Sequence, residues 1–350
     1  MRIGVLTSGG DAPGMNAAIR SVVKSAIARG HTVMGVRNGY EGLLAGDTVQ
    51  LGLTDVDGIS RFGGTLLGSA RSTHFPTPAG QADARERVAA MGLDGLVVIG
   101  GNGSLTGAHA LADGRPCQIV GLPGSIDNDI GHTRLCIGVD TAVNTIVEAC
   151  DRISDTARAH RRAFVVEVMG RQSPYLAMRA GIAADADVIL YGDLDEDETV
   201  ARLRTLLREG FDPARGKKRV LIIKAEGVAI PTSRLVERLA GHLETDAPGV
   251  GIRETILGHV VRGGAPSALD RLIAQRLALG AVGALEKGAH DVMMAWEPEP
   301  GVGTPTPDPS VRAVDLETML AETARMLAGQ SATTGSRAQL LEAYGSLLAL

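Results

Sequence analysis

Short, unbroken apolar runs rich in valine and isoleucine recur along this chain: "RIGVLT", "HTVMGVR", "LDGLVVIGG", "CQIVGLP", "RAFVVEVMG", "DVILYGD", "RVLIIKAEG" and "DVMMAWE". Each precedes a glycine-bearing loop and then a stretch whose apolar residues return at helical spacing. A strand with one wet face alternates apolar and polar residues, whereas a strand covered on both faces stays apolar throughout. The pattern therefore predicts an α/β fold in which mostly parallel sheets are flanked by helices. The clearest helix follows Gly138, with Val139, Val143, Ile146, Val147, Cys150, Ile153 and Ala157 on one face and Asp151, Arg152 and Asp155 elsewhere. Its length suits a connection between domains. After "PEPGVGTPTPDPS", a Pro-Gly loop, helical spacing resumes at Asp315 and runs into "AQLLEAYGSLLAL".

With 350 residues the chain is longer than one core usually serves, because cores stop growing at roughly 250–300 residues, so two domains are expected. A net charge of -5, mixed signs along the length and 3% aromatic residues supply neither the basic stripe nor the stacking surface of a nucleic-acid binder. "MRIGVLTSGG" lacks the long apolar core and cleavage site of a signal peptide, and no segment has the apolar length that a bilayer requires. Cys117, Cys136 and Cys150 are far apart in apolar surroundings, as buried thiols in a reducing compartment would be. The expectation is a soluble, cytoplasmic protein.

Ligands of open α/β sheets bind beyond the carboxyl ends of strands, so the loops after the apolar runs are the places to look. "TSGGDAPGMN", Thr7 to Asn16, sets adjacent glycines before a helix whose first N–H groups can hold a phosphate; a tight strand-to-helix turn would use the same residues. "IGGNGSLTG", Ile99 to Gly107, repeats the arrangement, with Ser104 able to cap the helix. "GLPGSIDNDIGH", Gly121 to His132, places Asp127 and Asp129 after a strand. They suit an Asx-type turn, or a site in which one carboxylate orients magnesium and the other accepts a hydroxyl proton. "GIRETILGHVVRGG", Gly251 to Gly264, sets Arg253, His259 and Arg262 around a short strand, a cationic group suited to a phosphate monoester.

In order, "TSGGDAPGMNAAIR", "GGTLLGSAR", "IGGNGS", "PGSIDND", "VVEVMGR", "AEG" and "RETILGHVVRGG" span Thr7 to Gly264 and closely resemble the 6-phosphofructokinase family. The resemblance implies a two-domain α/β enzyme that uses ATP as co-substrate and magnesium (Mg2+) to phosphorylate the 1-hydroxyl of fructose 6-phosphate. It implies a homo-oligomer, a tetramer or a dimer, whose sugar sites are shared between subunits. The domains are expected at 1–138 with 261–310 for the phosphoryl donor, and at 139–260 with 311–350 for the sugar phosphate. By the resemblance, Asp127 is the general base, Asp129 serves the magnesium together with Asn102, and Ser125 offers a hydroxyl beside the transferred phosphoryl. Gly10, Arg71, Ser72, Gly101, Asn102, Gly103 and Ser104 hold the donor, and Tyr40 lines its adenine. Met169, Gly170, Arg171 and Glu226 hold the sugar, with Arg171 also at the catalytic centre; Arg162, Arg253, His259 and Arg262 hold its 6-phosphate.

The family divides by donor. Pyrophosphate users carry Asp at the place of Gly103 and Lys at the place of Gly124; the two glycines leave the nucleotide's space open, which points to ATP. Asn102 stands where Asp is usual, removing one negative charge from a magnesium site. Arg20, Lys24 and Lys217 match a basic effector pocket, whereas Leu53 and Ser154 replace its usual arginines, so weak allostery is expected. A pyrophosphate-dependent enzyme, a non-catalytic regulatory subunit and a generic phosphate-binding module are the alternatives; the last leaves Arg253, His259 and Arg262 unexplained.

Overall fold

The computed structural model describes residues 1–348. By contact the chain forms two units, Met1–Thr141 with Arg262–Ser331, and Ala142–Val261 with the chain from Ala332 onward. Strands β1 (Arg2–Ser8), β2 (Thr32–Val36), β3 (Thr48–Leu51), β4 (Gly95–Gly100) and β5 (Gln118–Pro123) belong to the first unit. Strands β6 (Arg162–Val168), β7 (Val188–Leu190), β8 (Arg219–Ala225) and β9 (Gly251–Ile256) make the second, and β10 (Val292–Trp296), β11 (Thr304–Pro305) and β12 (Val311–Asp315) return to the first. The helices are α1 (Met15–Ala28), α2 (Gly39–Ala45), α3 (Pro78–Ala90), α4 (Asn102–Ala112), α5 (Val139–His160), α6 (Tyr175–Ala183), α7 (Glu196–Gly210), α8 (Thr232–Asp246), α9 (Ala268–Glu286), α10 (Leu316–Leu327) and α11 (Ala332–Leu348). No helix among the described residues is long and apolar enough to cross a membrane.

The first sheet runs β11-β12-β10-β5-β4-β1-β2-β3. Its centre is parallel, and β3, β11 and β12 are antiparallel additions at its edges. Ile3, Val5, Leu6, Leu96, Val97, Val98, Ile99, Ile119, Val120 and Leu122 are buried, as strands covered on both faces require. Each such side chain contributes about 1.5–3 kcal/mol relative to exposure. The second sheet, β7-β8-β6-β9, is parallel throughout. All eight apolar runs are strands. The edge strand β3 ("TVQL") and β12 ("VRAVD"), next to the two-residue edge strand β11, mix polar residues into short segments, which is why apolar runs alone do not reveal them.

The segment 311–331, expected with the second domain, packs in the first unit. Strand β12 pairs with β10 from Val292↔Asp315 to Trp296↔Val311, and α10 buries Leu316, Met319 and Met326. An antiparallel strand and an amphipathic helix extend the sheet there, a tertiary requirement that no local pattern expresses. Helix α5 begins in the first unit and continues into the second. Its Ile146, Cys150 and Ala157 are buried, while Val143, Val147 and Ile153 are half-buried.

A buried carboxylate fixes the start of α5. Asp270, fully buried near the start of α9, accepts from the N–H groups of Gly138 (2.8 Å) and Thr141 (2.7 Å) and from the Thr141 hydroxyl. Ser267, the N-cap of α9, donates its N–H to Thr141 Oγ1 (2.9 Å) and its hydroxyl to Asp140 (2.6 Å). Burial raises the Asp270 pKa, and the three donors work against that rise. The two helix starts thus satisfy each other's free N–H groups.

All three cysteines are buried, and burial pushes the thiols of Cys117 and Cys150 up to about 12. Because the thiolate is the reactive form, the native protein at pH 8 should leave a disulfide-exchange reagent such as Ellman's reagent essentially unreacted over minutes. In denaturant all three thiols should react; rapid reaction of the native protein would show that these cores open.

Candidate active site

In the first sheet β1 lies between β2 and β4, so the chain winds outward in both directions from the β1–β4 pair. The crevice at such a switch point, at the carboxyl ends of the strands, is where open α/β sheets bind ligands. After β1 comes Gly9 (φ 83), and α1 starts at an N-cap glycine, Gly14 (φ 112), with no side-chain cap. After β4, Gly101 is the N-cap of α4, again without a side-chain cap. Ser104, expected as the cap, instead lies in the first turn of α4 and is buried. A Cβ on Gly100 would come within 2.6 Å of its hydroxyl and one on Gly9 within 3.0 Å.

Three polar side chains stitch the next loop onto this edge. Thr7 donates to the Gly68 carbonyl (2.8 Å) and bonds the Thr65 hydroxyl (2.7 Å). Asn16 donates to the carbonyls of Phe62 (3.2 Å) and Gly63 (3.1 Å) and accepts from Leu66 N–H (2.6 Å). Ser69 donates to the Gly9 carbonyl (2.5 Å), which brings the exposed Arg71, two residues on, to the first glycine loop. Ser72 accepts from Phe75 N–H (3.1 Å) and shapes the following turn. Thr7, Asn16 and Ser69 all lie within the quoted sequence motifs, which gave none of them a task; short polar side chains bonded to backbone leave no periodic signal.

The loop after β5 meets the second glycine loop. A Cβ on Gly101 would lie 3.7 Å from Ser125 Cβ. Ser125 Oγ accepts from Asp127 N–H (3.2 Å) and donates to Asp129 Oδ1 (3.3 Å). Asp127 is buried and Asp129 half-buried. The loop closes on itself at its base, where Ile137 N–H donates to the Pro123 carbonyl (2.9 Å).

In the second unit the carboxyl ends of β6, β8 and β9 gather Met169, Gly170, Arg171, Glu226 and His259. Glu226 Oε2 accepts from the N–H groups of Gly170 (3.0 Å) and Arg171 (2.7 Å), holding the unusual backbone of Gly170 (φ 152) and Arg171 (φ 51). Leu257 N–H donates to the Glu167 carbonyl (3.1 Å), so the exposed His259 follows directly beyond β9. Arg162 and Arg253 are not in this group. Arg162 opens β6 and pairs with Gly251, and Arg253 pairs with Phe164. Seven residues of strand separate Arg162 from Met169, about 23 Å at the usual rise.

Other placements correct the sequence reading. Tyr40 is 5% exposed, stacks on Phe75 at 3.8 Å and donates its hydroxyl to the Ser104 carbonyl (2.6 Å). Burial raises its pKa. It braces α4 from behind and offers no adenine-lining face. Arg262, expected with the 6-phosphate cations, belongs to the first unit: its Nη1 donates to the Asp11 carbonyl (3.2 Å) and would lie 2.7 Å from a Cβ on Gly10. Of the two donor-site glycines, Gly103 faces open space, but a Cβ on Gly124 would lie 3.2 Å from Met15 Cε and 3.5 Å from Ile99 Cγ2. Gly124 therefore serves packing rather than an open donor space. Arg20 and Lys24 lie on α1 of the first unit, and Lys217 pairs with Asp187 in a basic cavity of about 620 Å³ in the second. Ser154 is buried and Leu53 is exposed.

Fold and site are those of an α/β protein built to receive a ligand at the switch point of a parallel sheet. Residues 2–285 match the family model described as Phosphofructokinase. The chain belongs to the phosphofructokinase family. It is similar to the ATP-dependent 6-phosphofructokinase of Thermotoga neapolitana, 45% identical over 326 residues, covering 93% of this chain and 99% of that one. The ATP-dependent 6-phosphofructokinase 1 of Thermus thermophilus is 45% identical over 331 residues, with the same coverage. Among solved structures, Pichia pastoris phosphofructokinase in the T-state superposes with a TM-score of 0.84 at 34% identity, over 97% of this chain and 37% of the Pichia chain. A pyrophosphate-dependent phosphofructokinase from Marinobacter aquaeolei, at 19% identity and a TM-score of 0.75 over 91% of this chain and 84% of that one, shares the fold.

The Tyr40 geometry sets an expectation. Tyr40→Phe keeps the stack on Phe75 and loses one buried hydrogen bond, so urea unfolding should show a loss of about 1 kcal/mol. A change of 3 kcal/mol or more would mean that the hydroxyl supports more than the start of α4.

Proposed function

We propose that this chain transfers the γ-phosphoryl group of ATP to the 1-hydroxyl of fructose 6-phosphate, giving fructose 1,6-bisphosphate and ADP, with magnesium bound at the site. Family membership and the identity to relatives named ATP-dependent 6-phosphofructokinase support the reaction. The observation that carries the site reading is the meeting of the β4 glycine loop with the β5 carboxylate loop at Gly101 and Ser125. A phosphate resting on the uncapped first turns of α1 and α4 would face Asp127 and Asp129. The open space beside Gly103 supports a nucleotide donor. A lysine at Gly124, as in pyrophosphate users, would have to displace Met15.

In this reading the Asp127 carboxylate takes the proton of the sugar's 1-hydroxyl as its oxygen attacks the γ-phosphorus, and the β–γ bridging oxygen leaves with ADP. The backbone at Gly10, Gly101 and Gly103, with Ser72 and Ser104 nearby, holds the donor phosphates. The guanidinium of Arg71 offsets their charge, and Ser125 and Arg171 stabilise the phosphoryl in transfer. Met169, Gly170, Arg171 and Glu226 hold the sugar, and His259 its 6-phosphate. Since Arg162 opens its strand and Arg253 lies in the middle of β9, short of its carboxyl end, we assign them to the sugar site of a neighbouring copy in a homo-oligomer, a tetramer or dimer.

The residues present fit magnesium. Among the described residues no group of three or more His, Cys, Asp or Glu could hold a metal. One carboxylate, Asp129, and one amide oxygen, Asn102, suit an ion that keeps several waters and binds through one or two carboxylates plus substrate phosphates. When bound, it would neutralise charge on the phosphates.

Three outcomes are expected. Purified protein assayed with fructose 6-phosphate and magnesium should form fructose 1,6-bisphosphate with ATP and not with pyrophosphate, and Asp127→Asn should lower kcat by about 10²–10⁴-fold. Turnover with pyrophosphate, or an Asp127→Asn variant that keeps most of its activity, would refute this assignment. Asn102→Asp restores a negative charge, so the magnesium concentration for half-maximal rate should fall; an unchanged titration would remove Asn102 from the metal site.

A further inference from the structure

We infer that Asn128 is a positioning residue for the two carboxylates on either side of it, an inference that rests on the phosphoryl-transfer reading of Asp127 and Asp129. Asn128 is 1% exposed and has φ 47, the left-handed conformation that asparagine tolerates better than most residues. Its side chain crosses the interior of the loop. Oδ1 accepts from Cys136 N–H (3.0 Å), and Nδ2 donates to the Arg134 carbonyl (3.1 Å). Both partners are backbone groups of the returning arm, so the side chain acts as one more rung above the base that Ile137 and Pro123 close.

That rung has a specific consequence for the neighbouring acids. The hydrogen bonds of the Ser125 hydroxyl at this bend are long, 3.2 Å from Asp127 N–H and 3.3 Å to Asp129 Oδ1, and the two Asn128 side-chain bonds add shorter ties between the acids. The reversed φ turns the chain between them, leaving Asp127 buried and Asp129 half-buried. The outer end of the loop is fixed separately. Gly131 N–H donates to Thr323 Oγ1 (2.8 Å), and a Cβ at Gly131 would lie 2.7 Å from Glu322 Cβ and 2.8 Å from the Met319 carbonyl.

Asn128→Gly removes both side-chain bonds while allowing the positive φ. Asn128→Asp keeps the shape and the acceptor for Cys136 but turns an oxygen toward the Arg134 carbonyl. In a folded sample of either variant, kcat should fall at least tenfold, and the magnesium concentration for half-maximal rate should rise at least threefold. The KM for fructose 6-phosphate should stay within about twofold. A kcat within twofold of wild type would overturn the inference, and so would a fall in kcat with an unshifted magnesium titration, which general loosening would produce. Should neither variant fold, amide hydrogen exchange on the wild-type protein decides. Strong protection of the Cys136 N–H is expected, and exchange as fast as that of an exposed loop amide would overturn the rung. A wild-type protein inactive with both ATP and pyrophosphate would sink the phosphoryl-transfer reading and this inference with it; an active wild type with unaffected variants would sink this inference alone.

Discussion

Parallel pairing is the constraint from which the first unit's site follows. Strands β1, β4 and β5 run side by side in the same direction, with Ser8 opposite Gly100 and Gly100 opposite Pro123. Their following loops must therefore emerge together at one edge. Because the winding reverses beside β1, the chains there diverge and leave a crevice. Glycine then allows what the crowding demands. At Gly100 a Cβ would lie 2.5 Å from the Ser8 carbonyl and 2.6 Å from the side chain of Ser104, so a larger residue would push the β1 and β4 loops apart.

Polar side chains bonded to backbone do the rest of the positioning. Thr7, Asn16 and Ser69 fasten the Arg71 segment to the first glycine loop, and Asp270 fastens the start of α5. Thr7, Asn16 and Asp270 are buried, where a hydrogen bond left unmade costs more than one made contributes. Each such contact therefore selects one loop conformation over its alternatives. In the second unit the exposed Glu226 carboxylate supports a left-handed Arg171 beside Gly170. Glu226 thus has a structural duty in addition to any contact with a sugar.

Much of this was legible in the chain. The eight apolar runs are strands because burial on both faces demands continuous hydrophobicity, and the glycine loops after them mark the carboxyl edge. The motif order was sufficient to indicate the family, which the comparisons establish. Strands β3 and β12 escaped because a strand at or next to the sheet's edge is only partly covered and needs no apolar run, and the place of 311–331 depends on which sheet has a side to extend. Tyr40 shows the limit of transfer by motif: its position in the sequence suggested a ligand-lining ring, while its stack on Phe75 and its bond to Ser104 make it a brace.

The sequence by itself determined the covered parallel strands, the glycine loops and the residue types available for chemistry, because these are properties of local composition and period. Tertiary structure alone decided which of those residues meet. It set Arg262 against Gly10 and separated Arg162 from Met169 by the length of a strand. It packed Gly124 against Met15 while leaving Gly103 open. Such outcomes depend on strand direction, register and space, quantities that arise when distant segments pack and that no stretch of the chain encodes alone.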